Sequence, residues 1–151
     1  MAAFEESWKS IAPLWAAVNG AESTLLEPAG SEAGGTIVLE ISTSDVDQPP
    51  RLPEGGDLVE APLGLFDTVE LTLFGRPAAK GRIAFGEGIA AVGLFEFEDG
   101  TSADELGPAV LSALAEEAFL EGAEVIYTVV EGEAPSYLGS GWSETGRLRR
   151  S

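Results

Sequence analysis

Histidine and cysteine are both absent from the 151 residues. That excludes disulfides, thiolate metal sites and every Ser–His or Cys–His catalytic arrangement, and no metal site is expected. Acid–base chemistry falls to carboxylates, tyrosine or water. The 26 acidic and 8 basic side chains leave a net charge of −18. Such a surface repels phosphate backbones and anionic bilayers, which bind through cations, so neither nucleic acid nor a membrane is an expected partner. It either attracts a cationic small molecule or basic peptide, or serves only solubility or salt adaptation. Arg147, Arg149 and Arg150 form the basic cluster, read as a polar strand end or an anion contact. Ser102-Ala103-Asp104-Glu105 has the spacing of a helix capping box. Pro108 argues for a later start, near Glu105 or Gly107, because it otherwise falls inside the helix.

The elements that must position these residues follow from periodicity. Phe4, Trp8, Ile11, Trp15 and Val18 recur at spacings of four and three, the stripe of an amphipathic helix that Gly20 would stop. Residues 36–41 are short and β-branched, as a strand requires. Residues 42–64, with Pro49-Pro50, Pro53 and Gly55-Gly56, read as an irregular loop with a short strand over 57–61. Strands over 69–74 and 82–85 flank a turn around Gly75-Arg76-Pro77, and Gly86-Glu87-Gly88 turns into a third strand over 89–97. Gly93 within it marks a bulge, a close backbone approach or plain packing. Val110, Leu111, Leu114 and Ala118 give a helix over 106–120, and residues 123–130 are the nearly continuous apolar run of a strand covered on both faces. Strand, helix and strand imply a parallel crossover. No apolar run approaches the ~20 residues of a membrane span and no leader pattern is present, so a cytoplasmic location is expected.

The order is a helix, an antiparallel meander, a crossover helix, a buried strand and a closing strand. Gly122-Ala123-Glu124-Val125-Ile126-Tyr127, Tyr137-x-x-x-Gly141-Trp142 and Gly146-Arg147 fall in sequence along its second half. From about residue 88 to 147 the chain resembles the GNAT acyltransferase superfamily. The resemblance implies an α+β (α/β) single domain over 1–151, with a mixed, mostly antiparallel sheet and a parallel crossover pair flanked by helices. A member of that family usually opens with a strand, whereas this chain opens with a helix.

The resemblance also implies a donor site for acetyl-CoA along Phe97, Ser102 and Gly107, with Tyr137 at the position whose hydroxyl protonates the departing thiolate. A phenol with a pKa of about 10 can serve a thiol of about 8.5 once desolvated. The alternative for Tyr137 is an aromatic that packs its short helix. Any base acting on an amine must be a carboxylate or water, and Glu96 and Glu98 are the nearest candidates, unless they are solvated edge residues. With Gly107 aligned to the last glycine of the family's Arg-x-x-Gly-x-Gly/Ala pyrophosphate loop, Ser102 stands where arginine is expected and Glu105 where glycine is expected. Two expectations result: a binding or assembly module that requires no cofactor, or an active acyl-CoA N-acyltransferase acting on a small amine or basic peptide. Pairing of open sheet edges would make either a homodimer.

Overall fold

The computed structural model describes residues 2–20, 26–29, 35–46 and 52–150. The linking residues 21–25 and 30–34, and Pro49-Pro50 within the expected irregular loop, lie outside the described residues. Helix α1 spans Ala2–Asn19 and β1 spans Leu26–Ala29. Strands β2 (Thr36–Ser42), β3 (Gly56–Pro62), β4 (Asp67–Leu73), β5 (Arg76–Phe85) and β6 (Ile89–Phe97) precede α2 (Ala103–Leu120). Strands β7 (Val125–Glu131) and β8 (Ser143–Arg150) follow it, joined through a 3-10 turn at Ser136–Leu138. All eight strands form one sheet in the order β1-β8-β2-β7-β6-β5-β4-β3. Its parallel pair is β6 with β7, bridged by α2, and its other pairs are antiparallel. This is the mixed sheet with a parallel crossover pair expected from the sequence.

The two helices cover opposite faces, each with its own core. The α1 stripe of Phe4, Trp8, Ile11, Trp15 and Val18 is buried with Val38, Ala84 and Leu148. On the other face Leu106, Val110 and Leu114 of α2 pack against Val69, Leu71, Ile83, Val92 and Ile126. Strands β2, β5, β6 and β7 therefore carry alternating side chains into two layers.

Several boundaries differ from the sequence expectation. Strand β3 occupies Gly56–Pro62, inside the stretch expected to be irregular, and covers the short strand expected over 57–61. Strand β5 starts at Arg76 rather than Arg82, so the turn is only Phe74-Gly75, with φ of 51° and 81°. Positive φ at both central residues matches the right-handed twist of the flanking strands. Pro77 is accommodated because the β4–β5 register shifts between Leu71 and Thr72, a bulge that removes the need for its missing N–H. Strand β1, four residues containing Pro28, was not signalled by periodicity. Helix α2 begins at Ala103, three residues before the expected start, and places Pro108 inside.

Candidate functional site

The parallel pair holds together only over Ile89↔Val125, Ala90↔Ile126 and Ala91↔Tyr127. Thr128 Oγ1 donates to the Val92 carbonyl at 2.8 Å, and the strands then part. A bulge in β6 widens the gap. Lys80 faces Glu96 and Arg82 faces Gly93, so three steps on β6 answer two on β5, and Leu94 takes a φ of 49°. Gly93 is required here because the indole of Trp15 covers it: a Cβ would lie 2.6 Å from Trp15 Cζ3. Bulge and close approach thus coincide at that residue.

The gap is a cleft of about 350 Å³ at the carboxyl ends of the strands, where α/β sheets commonly hold ligands. Trp15, Leu94, Phe95, Val130, Tyr137 and Leu138 form its apolar walls, and Thr128, Glu131 and Glu133 add polar groups. Trp15 Nε1 is buried with no hydrogen-bond partner among the described residues. Tyr137 sits in the 3-10 turn, its ring 5.2 Å from the centroids of both Phe95 and Phe97. Burial pushes its phenol up from the ordinary value, so the hydroxyl stays protonated at neutral pH. Trp142 Nε1 donates to the Leu138 carbonyl at 2.9 Å, tying the Tyr-x-x-x-Gly-Trp segment to the same turn.

Helix α2 starts directly beside this turn. Ser102 is its N-cap and accepts from the Glu105 N–H at 3.3 Å, while the Leu106 N–H reaches the Ser102 carbonyl at 2.9 Å. Asp104 accepts a hydrogen bond from Ser136 Oγ, next to Tyr137 in the chain. Gly107 lies one turn into the helix and is buried; a Cβ there would fall 2.4 Å from Tyr137 Cβ. It therefore admits the Tyr137 turn against the helix instead of belonging to a loop. Gly107 also relieves the clash that a residue before proline meets in helical conformation, which lets Pro108 sit inside.

The structure thus joins Tyr137, Phe97 and Gly107 in one packed group, with Ser102 at the adjoining cap. Glu96 and Glu98 are not part of it. Alternation along β6 turns both away from Tyr137, onto a shallow hollow of about 130 Å³ shared with Glu70 and Lys80. Both are exposed, and Glu96 pairs with Lys80 at 3.8 Å. The carboxylates that do line the Tyr137 cleft, Glu131 and Glu133, were missed. Their signal was position, at the carboxyl end of the crossover strand. In the basic cluster Arg147 pairs with Glu144 and Arg149 with Glu27, at 3.1 and 2.8 Å. Among the described residues no group of three or more carboxylates is placed to hold a metal, and no helix is long and apolar enough to cross a membrane.

No protein-family model and no curated protein sequence matches the chain. Solved structures do. A GCN5-related N-acetyltransferase from Kribbella flavida superposes with a TM-score of 0.60 at 15% identity, over 76% of this chain and 58% of its own. A functionally unknown conserved protein from Staphylococcus epidermidis gives 0.61 at 10%, over 76% and 59%. A tandem GNAT protein from the clavulanic acid biosynthesis pathway, solved without AcCoA, gives 0.56 at 13%, over 77% and 55%. The chain spans less than two thirds of each of these. Sheet, crossover and splayed cleft together give this chain the fold of the GNAT N-acetyltransferases.

Proposed function

We propose that the chain is a GNAT-fold binding or assembly module that does not take coenzyme A in the family's usual mode and has little or no acyltransferase activity. The observation that carries this is the start of α2. A helix N-terminus attracts phosphate because its first N–H groups are unpaired and positive. Here Ser102 already accepts one of them, and Asp104 and Glu105 put two carboxylates into the first turn. An incoming pyrophosphate would meet like charge without the cation that arginine would supply. The net charge of −18 supports a cationic small molecule or basic peptide as partner, and no nucleic acid. A cytoplasmic location goes with this reading.

Thermal melting with coenzyme A and with acetyl-CoA tests it. A ligand at 100 times its dissociation constant stabilises by about 2.7 kcal/mol. No shift is expected up to millimolar ligand, whereas Ser102→Arg combined with Glu105→Gly should gain a saturable one. A saturable shift of the unmodified chain would overturn the reading. It would favour an active N-acetyltransferase for a small amine or basic peptide, a reading supported by the protonated Tyr137 hydroxyl in a cleft it shares with Glu131 and Glu133.

A further inference from the structure

The polar side chains along the cleft are one-sided in what they offer a ligand. Asn19 and Thr36 can donate or accept hydrogen bonds, whereas Thr128, Glu131 and Glu133 present lone pairs. Thr128 is 3% exposed and its hydroxyl proton is committed to the Val92 carbonyl, so only the acceptor side of its oxygen remains. Glu131 and Glu133 flank Gly132, whose φ of 73° costs a glycine nothing. The Gly132 N–H donates to the Gly35 carbonyl at 2.6 Å, which ties this turn to the segment entering β2. The backbone that carries both carboxylates is thereby fixed at the cleft.

No cation offsets these groups. No lysine or arginine lines the cleft, and none occurs in the sequence between Arg82 and Arg147. Arg82, the register partner of Gly93, is occupied by the Val18 carbonyl at 3.2 Å and by the Phe66 ring at 4.3 Å. Among the described residues neither Glu131 nor Glu133 has an ion-pair partner. The walls add the aromatic rings of Trp15, Phe95 and Tyr137.

Aromatic rings attract a cation to their negative faces, and carboxylates hold its charge, so the two together are the chemistry of organic ammonium recognition. An anion would meet the two carboxylates instead. At about 350 Å³ the cleft falls within the roughly 300–1,000 Å³ of small-molecule sites. We propose that the cleft is a receptor site for a small organic ammonium ion, whose apolar body lies among Trp15, Phe95 and Tyr137 and whose charge meets Glu131 and Glu133. The inference rests on the reading of the chain as a binding module, and it gives that module's ligand a chemical class and a place. Recognition of this kind needs the cation and not a transferable N–H, so it is independent of acyl transfer. It also gives a use to an open cleft that stands beside a helix start repelling phosphate.

Benzyltrimethylammonium is the probe, because it carries a charge and a ring but no N–H to acylate. Benzyl alcohol has the ring without the charge, and phenylacetate has the opposite charge. Each is titrated into the whole chain in about 0.15 M sodium chloride, which screens the general attraction of so acidic a surface for cations, while amide chemical shifts are followed. The ammonium is expected to saturate, with shifts centred on residues 93–95 and 128–138. Benzyl alcohol should bind about tenfold more weakly, and phenylacetate should not bind. Glu131→Gln with Glu133→Gln should weaken the ammonium about tenfold. Both side chains are exposed, so the fold is not at stake. Glu5→Gln with Glu54→Gln makes the same charge change at exposed positions elsewhere and should leave affinity unchanged. Lack of saturation, shifts elsewhere, equal affinity for benzyl alcohol, or equal weakening by the Glu5 and Glu54 pair would overturn the proposal. Coenzyme A separates the two readings: no ammonium binding and no coenzyme A melting shift removes this inference alone, whereas a saturable coenzyme A shift removes the module reading on which it rests.

Discussion

Gly107 shows how one residue can satisfy a motif for a different reason. The family spacing reads it as the glycine that lets backbone approach a pyrophosphate, but its missing side chain makes room for Tyr137. The distinction is physical, because an added Cβ would meet the Tyr137 Cβ, which is fixed to the backbone of a packed turn and cannot swing aside. Gly107→Ala gains about 0.5–1 kcal/mol of helix propensity. Overpacking costs about 1–3 kcal/mol, so the net change should be a loss, read as a lower urea midpoint at unchanged slope. An equal or higher midpoint would mean that the turn yields freely and that Tyr137 is loosely held. The turn that carries Tyr137 was legible from the sequence, since the spacing from Tyr137 to Gly141-Trp142 falls on a real turn closed by the Trp142–Leu138 bond. Glu96 and Glu98, read either as bases or as solvated residues, are exposed on the side of β6 away from Tyr137, and strand order alone does not say which face of β6 meets the cleft.

At the scale of elements, strong periodicity was readable and irregular pairing was not. The stripes of α1 and α2 and the run of β6 appear where apolar spacing puts them. Strand β3 was readable only as its middle, the short strand over 57–61, because Pro53, Gly55 and Gly56 obscure its start and an edge strand needs pairing on one side only. The contact of β3 with α2 carries a pH signature. Glu117 has a folded pKa of about 7 against an ordinary 4.5, chiefly through the hydrogen bond with Glu60 and partial burial, with Asp67 and Glu116 adding repulsion. The folded state therefore holds the proton more tightly than the unfolded chain. The resulting stabilisation is complete below the unfolded value, declines as pH rises from about 4.5 to about 7, and is lost above it. Glu117→Gln mimics the protonated form at every pH. Its melting temperature should exceed that of the parent at pH 8, and the gap should close on acidification and vanish near pH 4. A gap that persists at pH 4 would assign the gain to packing rather than to charge.

Across the whole molecule, the pairing of distant segments escaped the sequence and the charge balance did not. Strand β2 lies between β7 and β8, which come from the far end of the chain, so the N-terminal segment completes the sheet instead of standing beside it. No local pattern encodes that choice, because a β-branched run specifies a strand but not its neighbour. Net charge, by contrast, is additive and can be read directly. A globular chain of this length has a radius of gyration of about 15 Å, well within the ~30 Å screening length at 0.01 M salt. At low salt each carboxylate therefore feels most of the others, and unfolding relieves that repulsion by spreading them apart. The ion pairs Lys9–Glu6, Lys80–Glu96, Arg147–Glu144 and Arg149–Glu27 act in the opposite sense. They are at least one-third exposed, and such pairs contribute only about 0–1 kcal/mol each. Self-repulsion should win. The melting temperature should rise as sodium chloride increases from about 0.01 to 0.15 M, where the screening length falls to about 8 Å, and then level off. Choline chloride should act equally, because the effect depends on ionic strength and not on a bound sodium ion. A melting temperature that falls over this range would mean that the ion pairs outweigh the net charge, and a rise with sodium alone would point to specific cation binding among the carboxylates.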